Sequence, residues 1–262
     1  MIAIRKSEER GRSRFSWLDS RHSFSFGEYV DPAHVHFGSL RVINDDWIAG
    51  GGGFAPHSHR DMEIVTYMVS GTLAHEDSTG GRETIGPNEV QRMTAGAGIT
   101  HSEFNASDSE PVRLLQIWIL PDARGLAPGY EQKAFAAGAK AGKLLAIASG
   151  NGAAARARPS QETAACAAAA RARPSQETAA CAADGALAIH QDAEIYASVL
   201  GAGQALSHDL APGRRAWVQV VRGALALNGN ALAEGDGAAV TDEARLDFSA
   251  TSEAEFLLFD LA

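Results

Sequence analysis

The sequence contains little of what marks a secreted, membrane or nucleic-acid-binding protein. Its only two cysteines, Cys166 and Cys181, argue against a disulfide framework and for a cytoplasmic location. No apolar run approaches the roughly 20 residues that span a bilayer. The start, MIAIRKSEERGRSRF, has no apolar stretch after its basic residues, so we expect neither a secretory signal nor membrane binding. The 23 Lys and Arg against 32 Asp and Glu give a net charge of −9, which argues against direct nucleic-acid binding.

Short segments rich in β-branched and aromatic residues run through the chain. In the first half they read HFGSLRVIN, MEIVTYMVSG, VQRMTA and VRLLQIWIL, and in the second half KLLAIAS, ALAIHQDAEIYASVL, AWVQVVRGALALNGNALAEGDGAAVT and AEFLLFDLA. The phrase GALALNGNALAEGDGAAV predicts a hairpin at Asn228 to Asn230. Between the halves, DARGLAPGYEQKAF is interpreted as a linker with a helical turn near Tyr130. Many short strands without helical patterns between them predict an all-β fold, and two such blocks favour two barrels.

Four residues of the first block form two closely spaced pairs, His57 with His59 and His101 with Glu103. On a β-strand, residues two positions apart project from the same face. Two such strands facing one another inside a barrel bring three imidazoles and one carboxylate to one point. That donor set suits a borderline divalent ion such as iron, copper, nickel, manganese or zinc, and it leaves coordination positions open.

These same residues carry a family resemblance. The stretch from Gly51 to Gly71 resembles the first cupin motif, with one residue more between Glu63 and Gly71 than the general pattern has. The runs HSHRDMEIVTYMVSGTLAHEDSTG and VQRMTAGAGITHSEFN, followed by LLQIWILP, resemble pirin and its bacterial relatives, which are bicupins. The resemblance implies two cupin (double-stranded β-helix, or jelly-roll) barrels. Residues 1–135 are expected to form the metal-binding cupin domain and residues 136–262 a degenerate cupin domain without metal.

The resemblance also implies a metal site and a chemistry. The family's metal ligands fall on His57, His59, His101 and Glu103, whereas Glu63 is expected to support the barrel or to lie behind the ligands. One divalent ion per chain is expected, with iron favoured and copper, nickel, manganese, cobalt or zinc as alternatives. The implied activity is that of a quercetin 2,3-dioxygenase, which cleaves flavonols with molecular oxygen. Glu103 is expected to accept the proton of the substrate hydroxyl as general base.

Two other function classes fit the same four residues. Some pirins are non-enzymatic regulators that bind a partner protein and respond to the oxidation state of iron, and other cupins are metal-dependent isomerases or hydrolases. The second barrel is not expected to bind metal, because its histidines, His190 and His208, have no partner two residues away. Both are interpreted as solvated or hydrogen-bonded structural residues. The sequence specifies no oligomeric state.

A perfect repeat interrupts the second block. Residues 154–168 read AARARPSQETAACAA, and residues 169–183 repeat that string without a difference. The identity indicates a recent in-frame duplication or deliberate construction, inserted in a surface loop. Pro159 and Pro174 precede alanine-rich stretches, which predicts two short helices. Cys166 and Cys181 would then lie at similar heights in a helical hairpin, but unpaired thiols are the preferred interpretation.

Overall fold

The computed structural model describes residues 1–150 and 185–262. The predicted helices at 154–183 and the pairing of Cys166 with Cys181 lie outside the described residues. Within the described ranges, strands dominate, no helix is long or apolar enough to cross a membrane, and a 3-10 helix spans Ser7–Glu9. The strands before residue 136 are β1 (Ile2–Arg5), β2 (Gly11–Arg14), β3 (Leu18–His22), β4 (Leu40–Ile48), β5 (Gly53–His59), β6 (Glu63–Ser70), β7 (Leu73–Asp77), β8 (Arg82–Ile85), β9 (Glu89–Thr94), β10 (Ile99–Asn105), β11 (Val112–Ile119) and β12 (Gly129–Ala134).

Strands β2 to β12 form two facing sheets of a first barrel. One sheet has seven strands in the order β12-β9-β6-β11-β4-β3-β2, and the other has four in the order β5-β10-β7-β8. Every pairing in both sheets is antiparallel. Non-consecutive neighbours such as β5 and β10 mean that the chain alternates between the sheets, as in a jelly roll.

The second half repeats this arrangement. Its strands are β13 (Leu145–Ser149), β14 (Leu187–Ala188), β15 (Ala193–Leu200), β16 (Ala205–Asp209), β17 (Arg215–Arg222), β18 (Leu225–Leu227), β19 (Asn230–Leu232), β20 (Gly237–Val240), β21 (Arg245–Ser249) and β22 (Ala254–Leu261). A seven-stranded sheet has the order β1-β20-β17-β22-β15-β13-β14, and a four-stranded sheet has the order β16-β21-β18-β19. The two-barrel all-β fold expected from the sequence is confirmed.

The two seven-stranded sheets pack against each other and bury a shared apolar core. Val65, Leu115 and Ile117 of the first half belong to one cluster with Trp217 and Phe259 of the second. Because side chains alternate along a strand, the residues adjacent to Val65, Leu115 and Ile117 on β6 and β11 point the other way, into the first barrel. The central strands are therefore buried on both faces, which explains their nearly continuous apolar sequence.

Two local features differ from the sequence interpretation or refine it. Residues near Tyr130 form the edge strand β12, paired with β9, so the predicted helical turn was wrong. The strand β1 pairs with β20 of the second half, although it precedes the first barrel in the chain.

The predicted hairpin at Asn228 to Asn230 is present, and positive φ at Asn228 and Gly229, 45° and 78°, is typical of a tight two-residue turn. The division into domains at residue 135 stays a prediction.

Deleting residues 154–183 is expected to leave metal binding unchanged and to shift the midpoint of thermal unfolding little. Ala148 pairs with Leu187, and the Gly150 amide donates to the Ala193 carbonyl at 2.9 Å, so described contacts hold the flanks of the loop together. Shortening such a loop changes its closure entropy only slightly. Metal analysis and thermal unfolding of the parent and the deletion variant test this. An insoluble variant contradicts the prediction, and an altered substrate preference shows that the insertion affects access to the site.

Candidate metal centre

Three histidines meet on two neighbouring strands of the four-stranded sheet. His57 lies directly opposite His101 in the β5–β10 pair, and His59 lies opposite Ile99. The centroids of the three imidazole rings are 4.4 to 4.9 Å apart. The sequence predicts two strands that face one another inside the barrel, but β5 and β10 are adjacent in one sheet. The three side chains still converge, because directly opposed residues and residues two apart share a face.

A bulge next to the histidines accounts for their placement. The register of β5 against β10 shifts between His101 and Glu103, so β5 has one residue more than its partner over this stretch. That stretch of β5 contains Pro56, which has no backbone N–H to donate to the sheet. Bulges of this kind bend a strand and redirect its side chains.

The contacts of His57 and His101 indicate which ring nitrogens could bind a metal ion. The Nδ1 of His57 lies 2.8 Å from the Ala55 carbonyl, to which only a protonated nitrogen can bond, so in the neutral form of the ring Nε2 has the free lone pair. His101 is 2% exposed, yet neither of its ring nitrogens has a hydrogen-bond partner. Buried polar atoms without partners are rare in native proteins, and a metal ion held by the three histidines would give one of these two nitrogens a partner.

Two of the three histidines, His59 and His101, are also in the protonation state that binds metal. Burial and the charge of the neighbouring His57 together lower the pKa of His59 to about 4, against an opposing effect of Glu103. Burial likewise lowers the pKa of His101 to about 4, against an opposing effect of Glu103. Both imidazoles are therefore neutral at pH 7, and neutral imidazole is the form that coordinates a metal ion.

Glu103 lies beside His101 in a second cluster. The three histidines offer ligand atoms within 4.8 Å of one another, and so do His75, His101 and Glu103, so that His101 is common to both groups. Burial raises the pKa of Glu103, but the neighbouring His75 and His101 and the bond from Gln91 outweigh burial and hold that pKa below its usual value. The carboxylate is therefore ionised and able to bind an ion or accept a proton.

A ring of hydrogen bonds holds the Glu103 carboxylate. Gln91 Nε2 donates to Oε1 at 2.8 Å, and Gln116 Nε2 donates to Oε2 at 2.9 Å. Gln91 Nε2 also donates to the Thr66 hydroxyl at 3.0 Å, which donates to Gln116 Oε1 at 3.3 Å. Gln91, Thr66 and Gln116 lie opposite one another on the neighbouring strands β9, β6 and β11. The register of the sheet therefore positions the two glutamines that bond to the oxygens of Glu103.

His75 also belongs to the site, although it was not predicted from the sequence. Its Nε2 lies 3.0 Å from Asp77 Oδ2, and its Nδ1 lies 3.9 Å from Glu103 Oε1, too far for a hydrogen bond but close enough for charge attraction. Burial lowers its pKa, but Glu103 and Asp77 reverse the effect, so the pKa of His75 is raised. His75 and Asp77 are two positions apart in the segment LAHED, and this spacing was the sequence signal that they share one face of a strand.

Glu63, His190 and His208 each have a hydrogen-bond partner within the protein, which indicates a structural role. Glu63 is fully buried, accepts a hydrogen bond from the Thr94 hydroxyl at 3.0 Å and lies 3.0 Å from His190 Nδ1. It joins the two halves of the molecule, which agrees with its expected role as a support. His208 Nε2 lies 2.8 Å from Asp260, so His190 and His208 are both hydrogen-bonded residues, as expected.

The three histidines open into a cavity of about 720 Å³ inside the first barrel. This volume lies in the range of ordinary small-molecule sites. Its aromatic lining is Phe15, Trp17, Phe26, Phe54 and Trp118, and its polar lining includes Ser13, Ser20, His22, Asn44, Asp46, Glu103 and Gln116. The ring of His59 packs edge-on against Trp118 at 4.9 Å, so the aromatic wall begins at the histidines.

Replacing Asp46 with Asn is expected to flatten the pH dependence of stability in metal-free protein. Burial raises the pKa of Asp46 to about 7, the Ser20 hydroxyl opposes this, and the charges of Asp45 and Glu103 add to it. Because the folded pKa exceeds the unfolded value, the contribution is fully present below about pH 4 and is lost as pH rises through about 7. The loss amounts to about 4 kcal/mol. Denaturant unfolding of parent and variant from pH 4 to 8, after chelation of metal, measures it, and parallel curves contradict the assignment.

The comparisons with known proteins place the chain in a family. A family model described as Pirin matches residues 4–119, and one described as Quercetinase C-terminal cupin domain matches residues 178–261. The chain is 41% identical over 261 residues to the quercetin 2,3-dioxygenase of Escherichia coli (strain K12), with 100% of this chain and 99% of that protein covered. This chain belongs to the pirin family.

Other pirins extend the comparison. A "Pirin-like protein" of Caulobacter vibrioides is 35% identical over 262 residues, and the match covers both chains in full. The crystal structure of the bacterial pirin YhhW from Escherichia coli in complex with nickel(II) matches with a TM-score of 0.83 and 41% identity, covering 100% of this chain and 99% of that chain. The pirin resemblance drawn from the sequence motifs is confirmed.

Proposed function

We propose that this pirin is a metal-dependent dioxygenase that cleaves flavonols such as quercetin with molecular oxygen. The observation that carries the proposal is a cluster of three imidazoles, with an ionised carboxylate beside it, at the end of an aromatic-lined cavity. The cavity of about 720 Å³ is large enough for a small aromatic molecule, and five aromatic side chains line it. The identity of 41% over the full length to a protein named quercetin 2,3-dioxygenase supports the same activity.

His57, His59, His101 and Glu103 are the proposed ligands of one divalent transition-metal ion. The unpartnered nitrogens of His101 and the neutral state of His59 and His101 fit such an ion. When bound, the ion supplies Lewis acidity and open coordination positions. Iron is the proposed native ion, and the nickel(II) complex of YhhW makes nickel the first alternative to test.

Glu103 is the proposed general base. Its carboxylate accepts the proton of the substrate's 3-hydroxyl, which makes the flavonol an electron-rich enolate that reacts with oxygen. Gln91 and Gln116 each hold one of its oxygens, so the base keeps one orientation while it still has lone pairs to accept a proton. Positioning of this kind supplies a large part of the rate effect in enzymes that join two bound reactants.

The aromatic lining is proposed to hold the flavonol ring system and to exclude water from the reacting carbon atoms. Trp17 and Phe54 pack edge to face at 5.1 Å, and Phe26 and Trp118 do so at 5.3 Å. Rigid aromatic side chains of this kind bury much apolar area of a planar ligand. A cytoplasmic location of the enzyme stays a prediction from the low cysteine content.

Oxygen uptake with a panel of flavonols tests the proposal. The metal-free protein is reconstituted in turn with iron, copper, nickel, manganese, cobalt or zinc, and oxygen consumption is followed together with loss of the flavonol absorbance. Turnover with at least one redox-active metal is the expected result. Absence of turnover with every metal, combined with binding to a partner protein, would favour the regulator interpretation instead.

A further inference from the structure

One part of the cavity wall is not used by the metal-binding residues or by Glu103. Strands β2, β3 and β4 place a group of polar side chains on this wall, inside an otherwise apolar barrel. They are Ser13, Ser20, His22, Asn44 and Asp46. Polar groups inside a core cost free energy unless they have partners, so each one needs an explanation.

Most of this group is satisfied internally. His22 is 1% exposed, and its Nδ1 donates to Asn44 Oδ1 at 2.7 Å. The Ser13 hydroxyl donates to His22 Nε2 at 2.8 Å. Both nitrogens of His22 are therefore used, and burial lowers its pKa, so the ring is neutral. These three residues form a closed unit with no need of a ligand.

Asp46 is different. It is 2% exposed, and its Oδ1 has no hydrogen-bond partner. Ser20 lies directly opposite it on β3 and leaves that oxygen unpaired. A buried carboxyl oxygen without a donor is costly to keep, and here it belongs to a side chain that lines the cavity.

The position of Asp46 relates it to the reacting centre. Gln116, which holds Glu103, lies opposite Asn44 on β4. Asp46 is two residues further along the same strand and therefore on the same face, about 7 Å from Asn44. A planar ligand that reaches Glu103 with one ring and lies along the aromatic wall brings its remote hydroxyls toward this part of the cavity.

We infer that Asp46, backed by Ser20, is a hydroxyl-binding subsite that selects polyhydroxylated aromatic substrates and orients them across the cavity. Asp46 Oδ1 accepts a hydrogen bond from a phenolic hydroxyl remote from the reacting ring. The substrate thereby supplies the donor that the protein lacks. This inference rests on the proposed function, because it names the class of flavonol that the same site prefers.

A comparison of two ligands tests the subsite without any mutation. Quercetin carries hydroxyls on the rings remote from the reacting centre, and 3-hydroxyflavone has the same ring system without them. Dissociation constants are measured by titration calorimetry under argon on zinc-loaded protein, which binds without turnover. We expect quercetin to bind about tenfold more tightly, the worth of one hydrogen bond to a buried carboxyl group. Equal dissociation constants, or no binding of either ligand, would overturn the inference.

Variants test whether Asp46 is the residue responsible for the preference for quercetin over 3-hydroxyflavone. Asp46→Ala is expected to weaken quercetin binding about tenfold and 3-hydroxyflavone binding less than about twofold. Asp46→Asn keeps an acceptor oxygen and should retain most of the preference.

The matched control is Phe15→Ala, since Phe15 lines the same cavity, is 61% exposed and offers only apolar contact. It should weaken both ligands by a similar factor. Equal weakening of both ligands in Asp46→Ala would also overturn the subsite.

The outcomes separate this inference from the proposed function. If no flavonol is consumed with any metal while the quercetin preference still depends on Asp46, the dioxygenase proposal fails and the subsite stands. If flavonols are consumed and Asp46→Ala weakens both ligands alike, the dioxygenase proposal stands and the subsite fails.

Discussion

Changing Glu103 to Gln is expected to lower flavonol turnover by at least about 100-fold, the usual worth of a positioned general base. The amide still offers an oxygen atom to a metal ion, so the variant should keep much of its metal, but an amide is a very poor base. Glu103 is 2% exposed and ionised in the parent, so bulk water does not replace it easily. Metal content and kcat under saturating flavonol and oxygen are the measurements.

A control is needed because the amide also disturbs the hydrogen-bond ring. In Glu103→Gln the new side-chain nitrogen cannot accept a bond, so the bond from either Gln91 or Gln116 to residue 103 is lost. Gln116→Leu removes one of these bonds while it leaves the carboxylate in place. We expect this variant to lose activity by about tenfold, the worth of one charge-assisted bond, and to keep the pH profile of the parent. Equal turnover in Glu103→Gln and the parent would exclude Glu103 as the base.

The strands that surround the site could be predicted because their patterns are local. β6 and β11 are apolar, rich in β-branched residues and bounded by turns, and the structure places both at the centre of the first sheet. The edge strand β12 could not be predicted in the same way. Its sequence, GYEQKA, is polar, and what makes it a strand is pairing with β9, a partner that is distant in the sequence. Strand propensity depends on such neighbours.

The pairing of β1 with β20 could not be predicted from the sequence either, because it also depends on a partner that is distant in the chain. Ile2 and Val240 are partners at opposite ends of the chain, and no local pattern identifies one from the other. The alternation of Ile2 and Ile4 indicates a strand but does not indicate which sheet it joins. Topology of this kind follows from the whole fold rather than from a segment.

The candidate site could be predicted in part for a related reason. The spacing of His57 with His59 and of His101 with Glu103 determines that each pair shares a face, which is a property of a single strand. Gln91, Thr66 and Gln116 lie on three strands, and only the register of the sheet makes them neighbours. In the sequence Thr66 and Gln116 are each a polar residue within an apolar stretch, whereas Gln91 lies among other polar residues in EVQRMT. Such a residue is a sign of an interior site, but it does not identify its partners.

Changing His101 to Ala is expected to reduce bound metal from about one ion per chain to less than about a tenth of that. His101 is the residue common to both clusters of candidate ligands, and loss of even an indirect support of a metal site costs about 10- to 100-fold in affinity. A second readout is thermal unfolding with and without added metal. An ion that binds only the folded parent at 100 times its dissociation constant stabilises it by about 2.7 kcal/mol, and the variant should lack this stabilisation.

The same experiment distinguishes a lost ligand from a damaged fold. His101 has no hydrogen-bond partner for either ring nitrogen, so its removal breaks no hydrogen bond, and the metal-free variant should unfold near the midpoint of the metal-free parent. His36→Ala is the matched control, because His36 is exposed and bonds only to the nearby Gly38 carbonyl at 3.1 Å among the contacts described for it. The control should bind metal as the parent does. Retention of a full equivalent of metal by His101→Ala would exclude His101 as a ligand, and with it the three-histidine centre on which the dioxygenase proposal depends.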